Sequence, residues 1–218
     1  MTDFAVLRQR MVDNQLRPSE VSDHAVLRAF LEVPREAFAA PGEAPFAYAD
    51  RELLMSEAAP SRRMMEPVRL ARLVSALPLG PDAKVLVVGG GTGYSAAILS
   101  RLAGSVAALE EAPALAALAR ERLKGVSNAK VVEGKLTEGW PTDGPYDAIL
   151  VDGAVETMPE ALVAQLKPAG ILATIERDER VSRAMLYERV GAEPTKWPRF
   201  DAWATLLPGF ERPRAFVF

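Results

Sequence analysis

Lys84–Tyr94, KVLVVGGGTGY, constrains this chain more than any other stretch. Its first half, Val85-Leu86-Val87-Val88, is apolar and largely β-branched, with no polar break. Such a run reads as a strand buried on both faces, the kind a parallel sheet contains. It ends in Gly89-Gly90-Gly91-Thr92-Gly93, and a helical pattern follows at once through Ala96, Ala97, Ile98, Leu99 and Leu102. Glycine permits a sharp turn and a close approach of ligand to backbone. The helix start beyond it offers free N–H groups at a positive dipole end. The unit is therefore a strand, a glycine loop and a helix, the first element of a nucleotide-type binding fold.

Taken alone, a glycine cluster is also what a plain tight turn looks like. A second landmark favours a binding site. Val106-Ala107-Ala108-Leu109 is another short apolar run, and Glu110-Glu111 ends it. An acidic residue about 20 positions beyond the glycine loop, at the end of the second strand, can hydrogen-bond both ribose hydroxyls of an adenosine.

Composition narrows the chemistry. With 218 residues, 49% of them hydrophobic, one substantial core in one domain is the expectation. The net charge of -3 argues against a nucleic-acid or membrane-surface binder, for which a basic stripe is expected. There are no cysteines, which excludes disulfides, thiolate metal sites and cysteine nucleophiles. A lone histidine, His24, argues against a zinc site or a Ser-His-Asp triad. No apolar run approaches the roughly 20 residues of a membrane span. The N-terminal stretch has no signal-peptide core. The expectation is a cytoplasmic protein.

Along the chain, residues 3–16 carry Phe4, Leu7, Met11 and Leu16 at near-helical spacing, with Thr2 or Asp3 as cap. Ser22-Asp23 precedes a second amphipathic helix that stops at Val33-Pro34; His24 lies in its first turn, where an exposed position outweighs a catalytic one. Residues 34–60 read as an irregular wrap over a later site, and Ser56–Arg63 is small and polar enough for a lid. Pro67 opens a helix closed by Pro78-Leu79-Gly80. After Glu110 come a helix from Pro113, a strand over residues 129–132, a strand over 146–151 ending at Asp152-Gly153, a helix over 159–166 and a strand over 171–175. A helix is expected over Val181–Val190, and an antiparallel strand pair from Trp203–Leu207 and Ala215–Phe218. Alternating strands and helices argue a parallel α/β sheet covered on both faces.

The order of these motifs resembles that of the S-adenosylmethionine-dependent methyltransferases, and within them the protein-L-isoaspartate O-methyltransferase family. Val33-Pro34-Arg35-Glu36-Ala37-Phe38 is similar to the family's VPRxxF, and Tyr48-Ala49-Asp50 to its YxD. Val88–Tyr94 is similar to IGTGSGY, Leu109-Glu110 to IE, Gly139-Trp140-Pro141 with Tyr146-Asp147-Ala148-Ile149 to GWP…YDAI, and Leu166–Gly170 to LKPGG. The resemblance covers most of the chain from about Val33. It implies an α/β, doubly wound, mostly parallel seven-stranded Rossmann-like sheet with a C-terminal antiparallel hairpin and an N-terminal helical lobe. Residues 1–218 would form one methyltransferase domain, with 1–66 as lobe and lid and 67–218 as the cofactor-binding core. It implies transfer of a methyl group from S-adenosylmethionine to a carboxylate, as in isoaspartyl residues of damaged proteins. An ionised carboxylate needs no strong general base, which suits a chain without Cys and nearly without His.

Carried over residue by residue, the resemblance places Gly89, Gly91, Thr92, Gly93 and Tyr94 around the cofactor, Glu110 on the ribose, Lys135 and Leu136 beside the adenine and Asp152 near the sulfonium. The sequence also departs from the family pattern. Met65 stands where the family's TISQP-like stretch has the Ser of the acceptor site, and a thioether cannot replace a hydroxyl donor. Glu66 beside it would repel a carboxylate unless Arg62 or Arg63 offsets it. Val87 replaces an acidic residue two places before the first glycine. Lys135 replaces the Asp of a Gly-Asp pair, and Asp152 stands where a small polar residue is usual. Val87 and Met65 are equally well read as core, and Lys135 as a solvated side chain. The catalytic residues are thus unassigned, with Met65 and Asp152 marking the acceptor region. Two other readings follow from the departures: a relative acting on another acceptor, such as a small molecule, and a non-catalytic binding protein on the same scaffold. An NAD-type dehydrogenase is the distant alternative, since Glu110 would also hold a nicotinamide ribose.

Overall fold

The structure is a computed structural model that describes residues 2–158, 160–178, 181–191 and 193–213. Its centre is a seven-stranded sheet in the order β5-β4-β3-β6-β7-β8-β9. The strands are β3 (Lys84–Val88), β4 (Ser105–Glu110), β5 (Ala129–Glu133), β6 (Tyr146–Val155), β7 (Leu166–Arg177), β8 (Ser182–Val190) and β9 (Glu193–Asp201). β3 to β7 run parallel, and β8 and β9 add an antiparallel hairpin at one edge. A separate two-stranded ladder joins β1 (Leu53–Leu54) to β2 (Arg63–Met64).

β3 shows why its sequence is a continuous apolar run. Val85 and Val87 face one layer of the core, and Leu86 and Val88 face the other. All four are fully buried. Burying an aliphatic side chain of this size stabilises by about 1.5–3 kcal/mol, so the strand is anchored on both sides. The first layer is built by α1 (Phe4–Met11), α2 (His24–Glu32), α3 (Pro67–Ser75) and α4 (Tyr94–Leu99), with Leu115 and Leu123 from in and just after α5 (Pro113–Arg122). The opposite layer draws on α6 (Glu160–Ala164) and on Leu136, Leu207 and Phe210. Asp3 caps α1 by accepting from the amides of Ala5 and Val6, and Asp23 does the same for α2. His24 is the exposed first residue of α2.

The structure corrects the expectations near the C-terminus. Ser182–Val190 is a strand, not a helix: it pairs residue for residue with β7, from Ile171 opposite Glu188 to Arg177 opposite Ser182. Its partner in the terminal hairpin is Glu193–Asp201 rather than a strand at the chain's end. Trp203–Leu207 instead crosses the ends of the parallel strands, touching β6 through a bridge between Ala154 and Leu206. The strand expected at Ala215–Phe218 lies outside the described residues. The segment over residues 34–60 contains short 3₁₀ turns, Arg35–Phe38 and Pro41–Phe46, before β1.

Candidate active site

Strand order locates the crevice. The chain moves from β3 outward through β4 and β5, then crosses back to place β6 on the other side of β3. In open α/β sheets ligands lie at this switch point, beyond the carboxyl ends of the strands. Here those ends carry the glycine loop after β3, Glu110 at the end of β4, and Asp152-Gly153 in β6.

Gly89, Gly91 and Gly93 all have positive φ, at 75°, 57° and 97°. Residues with a Cβ rarely adopt that region, which accounts for glycine at these alternate positions. Glu110 is 1% exposed. Its Oε2 accepts from the Gly91 amide at 2.8 Å, and its Oε1 accepts from the amides of Glu111 and Ala112 at 3.0 Å each. The carboxylate therefore ties the glycine loop to the end of β4.

The same carboxylate is held by Arg62, from the turn before β2. Nη1 donates to Oε1 at 2.7 Å and Nη2 to Oε2 at 2.9 Å, a two-pronged pair of the strongest ordinary kind. Nη2 also donates to the Gly89 carbonyl at 3.0 Å. Two more side chains lie on the loop. A Cβ on Gly91 would fall 2.1 Å from Met55 Sδ, and one on Gly89 would fall 2.9 Å from a Leu207 methyl. Leu207 equally covers Gly153, at 2.6 Å from the corresponding position. Leu207 thus bridges the ends of β3 and β6. Residue patterns give no sign of Arg62, Met55 or Leu207 here, because each arrives from a segment far away in the chain.

The other expected site residues divide. Thr92 is buried, but its hydroxyl donates to the Phe38 carbonyl at 2.6 Å and so binds the loop to the N-terminal lobe. Tyr94 packs against Phe30 and Phe38, with the Arg35 guanidinium carbon 5.0 Å from its ring centroid. Burial pushes its phenol up to about 12, so the ring is neutral packing. Leu136 is fully buried, and its amide donates to Glu111 at 3.3 Å. Lys135 is exposed and pairs with Glu138 at 3.1 Å. Val87 is core beneath the loop, with Cγ1 3.3 Å from a Cβ placed on Gly90.

Asp152 is 3% exposed, and its Oδ1 has no hydrogen-bond partner among the described residues. Burial raises its carboxyl to about 6, against the opposing pull of the Ser95 hydroxyl and of Arg62 and Arg35. Met65 is buried among the lobe residues, and its carbonyl accepts from Arg35 Nη2 at 2.7 Å. Glu66 pairs with Arg69 at 2.8 Å, not with Arg62 or Arg63. Burial and a hydrogen bond shared with Asp50 nonetheless raise Glu66 to about 7. The first turn of α3 has no side-chain cap, and with Pro67 lacking an N–H the uncapped amides there are those of Val68 and Arg69.

The backbone fits an adenosine-type cofactor: it has positive-φ glycines and a buried acid one strand over, at the point where the strand order reverses. What fills the crevice is the flexible ends of Met55, Leu207 and Arg62, not main chain. This arrangement of sheet, loop and acid is that of a methyltransferase using S-adenosylmethionine. The comparisons then give the family. The model of "Protein-L-isoaspartate(D-aspartate) O-methyltransferase (PCMT)" matches residues 7–195, and the chain belongs to that family. The chain is 41% identical over 172 residues to a protein-L-isoaspartate O-methyltransferase of Koribacter versatilis, covering 78% of this chain and 76% of that one. It is 32% identical over 228 residues to protein-L-isoaspartate O-methyltransferase 1 of Rhodopseudomonas palustris, covering 98% and 91%. A solved protein-L-isoaspartate O-methyltransferase superposes with a TM-score of 0.82 at 27% identity, covering 93% of this chain and 66% of that longer one.

Proposed function

We propose that this protein methylates the carboxylate of isoaspartyl residues in peptides and proteins. The observation that carries the reading is the family match over residues 7–195, with the glycine loop and Glu110 intact at the switch point. When bound, S-adenosylmethionine supplies a methyl group already activated by its positive sulfur. The chain's part is to bind, orient and exclude water. Glu110 would accept from the ribose hydroxyls. The backbone of Gly89, Gly91 and Gly93 would cradle the methionine portion, and Lys135 and Leu136 would border the adenine. Asp152 would offer a buried negative charge to the sulfonium, since opposite charges attract.

The acceptor carboxylate arrives ionised and needs no base. It would be received at the uncapped start of α3, beside buried Met65. Glu66 opposes that charge and Arg69 offsets it. Residues 1–218 act in this reading as one domain with 1–66 as its roof, supported by a core that joins Met11, Leu16 and Phe30 to Val85 and Tyr94. Cytoplasmic residence belongs to the same reading; among the described residues no helix is long and apolar enough to cross a membrane.

The test is transfer of labelled methyl from S-adenosylmethionine to an isoaspartyl peptide and to its aspartyl twin. An alkali-labile ester on the isoaspartyl peptide alone is expected, with at least a hundredfold loss in Glu110→Ala. Retained S-adenosylhomocysteine binding with no transfer to any isoaspartyl peptide would overturn the acceptor assignment.

A further inference from the structure

Arg62 occupies the acceptors that a nucleoside ligand needs. Both Glu110 oxygens and the Gly89 carbonyl are hydrogen-bond acceptors facing one small space, and Arg62 meets all three with its N–H groups. S-adenosylmethionine carries a matching set of donors, a pair of ribose hydroxyls and an α-ammonium group. The guanidinium is thus a chemical substitute for the cofactor, donor for donor, in a site that is 96% or more shielded from solvent.

The segment that delivers Arg62 is a short hairpin. β1 and β2 pair through two residues each, and a ladder that short has little stability of its own. The turn is closed by bonds from the Ala59 amide to the Ser56 carbonyl at 3.1 Å and from the Arg62 amide to the Ala59 carbonyl at 3.0 Å, whereas the bond that ties it across the ladder, from the Met55 amide to the Arg62 carbonyl, is long at 3.4 Å. The hairpin is otherwise held by a backbone bond from the Ala40 amide to the Leu54 carbonyl at 2.9 Å, by burial of Leu53 and Met64, and by the side chains it inserts at the site, Arg62 on Glu110 and Met55 on Gly91. A clasp from the other end of the chain adds to this: Glu52 accepts from the Thr205 amide at 2.9 Å and from its hydroxyl at 2.7 Å. Two residues further on, Leu207 closes the gap between Gly89 and Gly153.

We propose that Arg62 is a built-in competitor for the cofactor: the β1–β2 hairpin places Arg62 on Glu110 and Gly89, and cofactor binding proceeds by exchange with it. This rests on the cofactor reading above. A ligand that must displace an internal one has its apparent affinity reduced by the closed fraction. Removing the internal ligand therefore raises affinity, the opposite of what removal of a binding residue does.

The experiment is calorimetric titration of wild type and Arg62→Ala with S-adenosylhomocysteine, with hydrogen exchange of residues 53–64 measured in wild type with and without saturating ligand. Tenfold or tighter binding by Arg62→Ala is expected, and faster exchange of the hairpin amides when ligand is bound. Weaker or equal binding by a folded Arg62→Ala would overturn the proposal; weaker binding would make Arg62 a cofactor ligand instead. The exchange arm stands even if Arg62→Ala does not fold, since slower or unchanged exchange in ligand-saturated wild type also overturns it. Failure of wild type and variant alike to bind at millimolar ligand, both being folded, would remove the cofactor reading itself.

Discussion

Glu66 is the side chain through which acceptor binding would depend on pH. Burial and Asp50 raise its carboxyl to about 7, and Arg69 pulls the other way. Below that value the group is mostly neutral. Above it the group is anionic, close to where an acceptor carboxylate would be received. The KM for an isoaspartyl peptide should therefore rise as pH climbs from 6 to 8, with kcat changing less. Glu66→Gln should flatten that rise and lower KM at pH 8 several-fold; steady-state kinetics across the range check it, and an unchanged profile would exclude Glu66 as the cause. Stability has a definite sign as well. A carboxyl raised in the folded state stabilises at low pH, and that contribution is lost between its unfolded value and about 7. At this scale the sequence was partly readable. Glu110 was placed by spacing alone, whereas the partner of Glu66 could not be, because a helix neighbour three positions on and a loop acid compete for it.

Among the elements, the glycine loop and the β1–β2 hairpin depend on each other. Gly91 has φ 57° and lies against the Met55 thioether. Gly91→Ala adds left-handed strain of about 1–2 kcal/mol and forces Met55 out. We expect the two costs to separate in a double-mutant cycle: Met55→Ala should destabilise the Gly91→Ala background less than it destabilises wild type. Denaturant unfolding measures the four variants, and additive losses would show that the two residues do not meet. Legibility differs from element to element for physical reasons. β3, β4 and β6 are apolar runs between turns and were read directly. From sequence β8 reads as a helix because Ala184, Met185, Leu186 and Tyr187 are consecutive apolar residues without strand alternation. Ala, Met, Leu, Glu and Arg also favour helices, until pairing with β7 overrides that preference. β9 is hidden by Pro194 and Pro198, residues an edge strand tolerates and a central one does not.

For the whole molecule, the N-terminal lobe is tied together around a buried cation that also lies over the Tyr94 ring of the core. Arg35 is fully buried, donating through Nε to the Ala47 carbonyl at 2.9 Å and through Nη2 to the Met65 carbonyl. Arg35→Met would leave both carbonyls without a donor. Each such loss costs about 1–3 kcal/mol, so the melting temperature should fall by roughly 5–15 °C. Arg35→Lys should not restore it, because an ammonium cannot span both acceptors as a planar fork does. Calorimetry reads both, and an unchanged melting temperature would mean the lobe is held by its apolar contacts alone.

The clasp between Glu52 and Thr205 joins residues 153 positions apart. Contacts of that separation close late, since the loop entropy is lost before any contact compensates for it. The sheet through β7 can assemble from neighbouring strands, and the roof over Glu110 comes from residues before them, but its latch waits for residues 205–207. A chain still emerging from the ribosome would thus have floor and roof without the latch between them. The order of synthesis then sets the order of competence: the scaffold matures first, and the capacity to hold a substrate enclosed comes later.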